Sequence, residues 1–241
     1  MDLKSYHLHI GAPGVFVNVV RTLFKDAGNL RNPSVAFRFA KVIEKWNIIR
    51  NSSNYAVTPK DLDFDGPMFM SIPQLAFKNL PVDENYTIDV AREHLSQLVI
   101  PASDFPIQVY FFICNPLFLI DASESSKVSE LNILDFSWFS YVNLIENSLG
   151  NKYNLMVFDV HDCIRNTDII DGCFFETEVV SDPNNPLRMK LQTLLRRATD
   201  KRMRSLRQTI EDFDDVSARV SSKYALEKRL LWETGFLLTG Y

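Results

Sequence analysis

Apolar positions follow two different periods along this chain, and together they predict strands that alternate with helices. Short, near-continuous apolar runs, typical of strands buried on both faces, occupy residues 6–12, 68–71, 107–113 and 154–160. Apolar residues recur every three or four positions, as on one face of a helix, over residues 15–27, 32–46, 89–98 and 136–149. Strands separated by helices predict an α/β domain with a parallel sheet.

The pattern changes at Pro186. From there an apolar stripe that reaches Phe213 predicts one long helix, and a further helix is predicted over residues 217–231. We therefore divide the chain into an α/β domain, residues 1–180, and a helical extension, residues 181–241. The extension ends in a strongly apolar segment, which must pack back onto the domain or onto a partner.

Composition and charge narrow the class of protein. The chain is 46% hydrophobic and 12% aromatic, which is ample for a buried core. Its formal charge of −4 gives no overall attraction to nucleic acid, so nucleic acid is an unlikely partner. No apolar run is long enough to span a bilayer, and no signal peptide precedes the first strand, so we expect a soluble, cytoplasmic protein. Its three cysteines, an odd number without metal-type spacing, are expected to be reduced thiols.

The first predicted strand leads into a turn that has the outline of a phosphate-binding loop. Residues 8–13 read Leu-His-Ile-Gly-Ala-Pro, and an apolar helix pattern follows at once. Such loops need a lysine for charge, glycines for close backbone approach and a hydroxyl that faces the ligand. The next five residues here are Gly, Val, Phe, Val and Asn. The outline of the loop is present, but the side chains that hold phosphate are absent.

Four segments, in order, resemble the sulfotransferase family, particularly its bacterial members that act on glycans or small molecules. They are Leu-His-Ile-Gly-Ala-Pro at 8–13, Met-Phe-Met-Ser at 68–71, Val-Tyr-Phe-Phe-Ile-Cys-Asn-Pro at 109–116 and Met-Val-Phe-Asp-Val-His-Asp at 156–162. The resemblance implies a three-layer sandwich with a central parallel sheet, of the P-loop nucleotide-kinase type, that uses the sulfonate donor PAPS. It also implies that the donor phosphates would lie at positions Gly11, Gly14, Val15, Phe16, Val17, Asn18, Asn115 and Ser123.

The departures from the family pattern remove its positive charge. Gly14 stands where the family has the loop lysine, and Cys114 stands where it has the arginine before Asn-Pro. Each lost charge-assisted bond would cost about 1.5–3 kcal/mol of donor binding. We therefore predict a pseudoenzyme that has lost PAPS-dependent catalysis, holds no cofactor and acts as a binding or scaffolding protein. The alternative is an active sulfotransferase that moves a sulfonate group from PAPS to a glycan or small hydroxyl acceptor, with His9 or His161 as its base.

The histidines allow two readings each. His7 and His9 point to the same face of one strand and could pair on a metal, but we favour neutral histidines packed in the core. His161-Asp162 has the form of a metal-binding dipeptide, yet a turn after a strand explains Asp162 equally well. We predict no metal site.

A basic run lies between residues 188 and 207, with eight lysines and arginines and one acid. The run predicts either a solvated helix face, balanced by the acids that follow at 211–215, or a surface for an anionic ligand. The length of this helix and the apolar C-terminus also allow a protein partner or a homo-oligomer.

Overall fold

The computed structural model describes residues 6–11, 14–16, 18–20, 22–23, 69–71, 107–119, 130–149, 153–165 and 186–238. The helices predicted at 32–46 and 89–98 and the third cysteine, Cys173, lie outside these residues. Within the described residues the fold is mixed α/β, with a parallel sheet at its centre.

Four strands of the described residues form the sheet: β1 (Tyr6–Gly11), β2 (Phe69–Ser71), β3 (Ile107–Ile113) and β4 (Tyr153–Asp159). Their order is β2-β1-β3-β4, and every neighbouring pair is parallel. β3 lies inside the sheet, and its residues 109–113 have no exposed surface. Its run of β-branched and aromatic residues suits this doubly buried place.

Five described helices follow β3 along the chain: α1 (Glu130–Asp135), α2 (Trp138–Leu149), α3 (Val160–Arg165), α4 (Pro186–Thr209) and α5 (Phe213–Glu233). Two short 3-10 turns, Gly14–Phe16 and Pro116–Leu119, follow β1 and β3. No helix in the part of the chain that is described is long and apolar enough to cross a membrane.

The helix predicted over 136–149 begins two residues later than the apolar pattern indicates. The backbone N–H of Ser140 donates to Ser137 Oγ at 3.3 Å, which makes Ser137 the N-cap residue. The N–H of Trp138 donates to the buried Glu227 carboxylate at 3.1 Å. Phe136 stays outside the helix but remains buried against the Trp138 ring, with the ring centroids 4.9 Å apart.

Two further boundaries differ from the sequence pattern. Phe213 begins α5 instead of ending the preceding stripe, because Asp212 has a φ of 51° and turns the chain in the left-handed region that Asp tolerates. His161 and Asp162 lie in the first turn of α3 instead of an irregular turn.

The apolar C-terminal segment pairs with β4. Phe236 accepts a hydrogen bond from the N–H of Val157 at 3.2 Å, and the N–H of Leu238 donates to the Val157 carbonyl at 3.0 Å. Leu237, between them, is 3% exposed and belongs to the main core. Gly235, with a φ of 80°, reverses the chain after α5 so that the segment reaches the strand. The sequence allowed this segment to pack either on the α/β domain or on a partner, and in the structure it packs on its own chain.

Candidate functional site

The carboxyl ends of β1 and β3 lie side by side at the centre of the sheet, and we call this place the crevice. β1 lies between β2 and β3, so the chain leaves β1 toward one side of the sheet and later crosses to the other. In open parallel sheets this topological switch point is where ligands bind. Gly11 ends β1 and Asn115 follows β3, so these two predicted donor positions lie at the same edge of the sheet, with Cys114 beside them.

Phe16 fills the inner end of the loop that follows β1. Its side chain has no exposed surface. Its ring contacts the rings of Phe118 and His161, with centroids 5.3 Å and 5.5 Å away, and Phe118 and His161 are themselves 5.8 Å apart. We call these three side chains the aromatic plug. Small residues in a phosphate-binding loop leave room for the ligand, whereas here a large and fully buried ring stands in the loop.

The other predicted loop positions differ in their exposure. Gly11 is buried, Val15 is half-buried and Asn18 is exposed at the start of a helical stretch. Gly14 opens the 3-10 turn. Val17 and Ser123 lie outside the described residues.

The Asn115 side chain is held by protein groups at both ends of its amide. Its Oδ1 accepts a hydrogen bond from the N–H of Leu117 at 3.0 Å, and its Nδ2 donates to Ser221 Oγ on α5 at 3.0 Å. The first bond caps the turn that follows β3, and the second ties that turn to α5. The amide thus has a structural role at the place where the resemblance implies a donor contact.

Cys114 is buried at the position of the family's arginine. It has no exposed surface, and burial raises the pKa of its thiol well above the usual value, with Asp159 adding to the rise. The thiol therefore stays neutral. The backbone carbonyl of Cys114 accepts a hydrogen bond from Trp138 Nε1 at 2.6 Å.

The two candidate bases lie in different environments. His9 has no exposed surface and packs edge-on against Phe112, with the ring centroids 5.4 Å apart. His161 is half-buried, and burial lowers its pKa although Asp159 opposes the shift, so its imidazole is neutral at pH 7. Of the two, His161 is the one that solvent reaches.

A charged cluster lies behind His161 and joins β4, α3 and α5. Asp159, 2% exposed, caps α3 through its Oδ1, which accepts the N–H of His161 at 2.8 Å and that of Asp162 at 3.0 Å. Its Oδ2 accepts the Tyr224 hydroxyl and lies 3.3 Å from Lys228 Nζ. Lys228 also contacts Asp162 Oδ2, at 2.5 Å. One ammonium group thus serves two carboxylates, and we call these four side chains the acid cluster.

The acid cluster is built to hold charge instead of moving protons. Burial raises the pKa of Tyr224 well above its usual value, and the Asp159 carboxylate raises it further. Burial lowers the pKa of Lys228, but the two carboxylates outweigh burial and the net shift is upward. At neutral pH the tyrosine is therefore a hydrogen-bond donor and the lysine a cation.

Sequence reasoning missed Tyr224, Lys228 and Asp159. The available signal was the spacing of Tyr224 and Lys228, four residues apart on one face of a helix, because such a pair can reach one shared partner. In the described residues, no group of three or more His, Cys, Asp or Glu side chains is placed to hold a metal ion.

No protein-family model, no curated protein and no solved structure matches this chain. The likeness to sulfotransferases rests on the four sequence segments alone.

Proposed function

We propose that this chain is a pseudoenzyme, a sulfotransferase-like α/β protein that no longer uses PAPS and works by binding. The aromatic plug carries the proposal, because Phe16 is fully buried in the loop where a donor phosphate would need space. A ligand with several phosphates would have to displace a buried aromatic ring, which costs about 1.5–3 kcal/mol in lost burial alone.

Charge at the crevice supports the same conclusion. The two positions that would carry a cation hold Gly14 and the neutral thiol of Cys114. The nearby acid cluster contributes two carboxylates and one ammonium group. Transfer of a sulfonate group needs donors and cations aimed at the developing negative charge, and the acid cluster presents the opposite sign.

One observation favours the alternative, an active sulfotransferase with an altered donor site. His161 is half-buried and neutral at pH 7, which is the form that a general base requires. In this alternative, His161 would accept the proton of the acceptor hydroxyl, and the backbone amides of the loop would hold the donor.

Calorimetry with adenosine 3′,5′-bisphosphate, the product of PAPS-dependent transfer, separates the two functions. For the pseudoenzyme we expect no binding heat up to millimolar ligand. Micromolar binding by the unaltered chain would contradict the pseudoenzyme and support the transferase.

A double variant tests why no nucleotide binding is expected. Gly14→Lys with Phe16→Gly restores the loop cation and empties the volume of the ring, so we expect measurable nucleotide binding to return. Gly14→Lys alone is the matched control, and it should stay silent because the ring remains. If both variants are silent while their circular dichroism spectra match the parent, the aromatic plug is not what excludes the ligand.

A further inference from the structure

The solvent-facing side of α4 carries a row of four cations: Lys190, Arg197, Lys201 and Arg204. They are spaced seven, four and three residues apart, which places them on one helix face, and all four are exposed. At a rise of about 1.5 Å per residue, this cationic row is about 21 Å long. The segment 188–207 as a whole has eight basic residues and one acid, whereas the full chain has a formal charge of −4.

The two cations in the middle of the cationic row are not arranged for helix stability. Arg197 and Lys201 form no ion pair with any described residue, although they are four positions apart, a spacing at which like charges destabilise a helix. Other exposed arginines of the two helices are paired at this spacing: Arg196 with Asp200 at 3.7 Å on α4, and Arg219 with Asp215 at 3.8 Å and Arg229 with Glu233 at 2.8 Å on α5. Arg197 and Lys201 thus differ from the paired arginines beside them, and a local rule broken without compensation points to a binding role.

The residues around the cationic row limit the kind of partner. Among the described residues of α4, Met189 is the one large hydrophobic side chain that is exposed. A protein partner would need an apolar centre to its interface, and binding of single-stranded nucleic acid relies on exposed aromatic rings. A row of cations with neither feature gains most from a dense, regular polyanion, whose condensed counterions are released on binding.

The shape of the surface favours a nucleic acid duplex over a single anionic chain. Arg196 and Arg207 are also exposed and lie on one flank of the cationic row, about 100° around the helix from it, so α4 presents cations in two directions. They contact Asp200 at 3.7 Å and Asp214 at 3.1 Å, and such exposed pairs are weak enough to exchange for phosphate. An α-helix fits the major groove, where phosphates flank it on both sides.

We propose that the cationic row of α4 binds the phosphate backbone of a nucleic acid duplex without reading its sequence. The overall charge of −4 does not oppose this, because screening at physiological salt limits electrostatic interactions between exposed charges to about 8 Å. This binding is independent of the function proposed for the crevice, and either can fail without the other.

The test measures how salt changes the affinity of the full chain for a fluorescent duplex of about 20 base pairs of mixed sequence. With four phosphate contacts, the slope of log K against log salt is expected to be about −3.6, which is a loss of about 150-fold between 50 and 200 mM salt. Arg197→Gln with Lys201→Gln removes two contacts, so its slope should fall to about −1.8. Arg219→Gln with Arg229→Gln on α5 is the matched control: it makes the same change in net charge and should leave the slope unchanged.

Thermal unfolding of each variant verifies that the fold is intact before the slopes are compared. The absence of duplex binding at 50 mM salt overturns the proposal. Equal slopes for the two double variants overturn it as well, because the binding would then follow net charge instead of the cationic row. Tighter binding to heparin, or to vesicles rich in anionic lipid, than to the duplex assigns the row to another polyanion and also overturns the proposal.

Discussion

His7 shows how a buried polar side chain makes the stability of this protein depend on pH. It is 1% exposed, and its Nδ1 lies 2.7 Å from the Tyr110 hydroxyl. Burial lowers its pKa to about 4, against a value of 6.5 in the unfolded chain. Between these two pH values His7 is protonated in the unfolded chain but neutral in the folded chain. The contribution of His7 to the free energy of unfolding is therefore fully present above pH 6.5 and is lost as the pH falls toward 4.

We expect this single histidine to remove about 3 kcal/mol of stability as the pH falls through that window. Urea unfolding at a series of pH values measures the loss. His7→Gln keeps a hydrogen-bonding group beside Tyr110 but cannot titrate, so its stability should change less with pH. His161, whose pKa burial also lowers, leaves some dependence in the variant. Identical pH profiles for His7→Gln and the parent would show that another group is responsible.

Strand and helix types could be predicted from the sequence because burial imposes a period on each element. Ile107–Ile113 is recognisable as a strand since nearly every residue in it suits a doubly buried position. The ends of elements were harder, because they depend on single polar groups. Ser137 caps a helix within an apolar stripe that runs on both sides of it, and Asp212 ends another stripe by adopting a left-handed conformation.

The candidate site could be predicted in part. The loop after β1 and the end of β3 were found because their residues are contiguous and carry a recognisable order. The acid cluster was missed because it unites β4 with α5, and the Tyr224 hydroxyl reaches Asp159 across 65 positions of sequence. Periodicity indicates which face of each element is buried but not which elements face one another. The division of the chain at residue 180 stays a prediction.

Asp159 is the residue through which three elements depend on one another. It ends β4, caps α3 and accepts the Tyr224 hydroxyl of α5. Asp159→Ala should cost about 1 kcal/mol for the lost cap and about 1–3 kcal/mol for a buried hydroxyl without its acceptor. We expect a total loss of about 2–4 kcal/mol in chemical unfolding.

Asp200→Ala is the matched control for that substitution. Asp200 is exposed and contacts Arg196 on the surface at 3.7 Å, so its removal should change stability by no more than about 0.5 kcal/mol. If the two alanine variants are equally stable, α5 is not held to β4 through Asp159.

At the scale of the whole molecule, the candidate site and the exposed positive charge lie on different elements. The aromatic plug and the acid cluster lie near the carboxyl ends of the strands, whereas exposed positive charge is concentrated along α4. One core nevertheless serves the sheet and the C-terminal helices, because Leu191 of α4 and Leu231 of α5 belong to the same apolar cluster as β3. A shared core of this kind supports the crevice and the exposed face of α4 at the same time.

The last residues of the described chain test whether that core is complete within one molecule. Leu237 is 3% exposed beside Val157, whereas the next residue, Leu238, is 43% exposed. Leu237→Ala should cost about 2–5 kcal/mol, as a buried leucine does, and Leu238→Ala no more than about 0.5 kcal/mol. Because the segment pairs with its own β4, the loss should be the same at protein concentrations tenfold apart. A loss that depends on concentration would mean that Leu237 is buried against a second molecule instead. Equal losses in the two variants would mean that Leu237 is no more buried than Leu238.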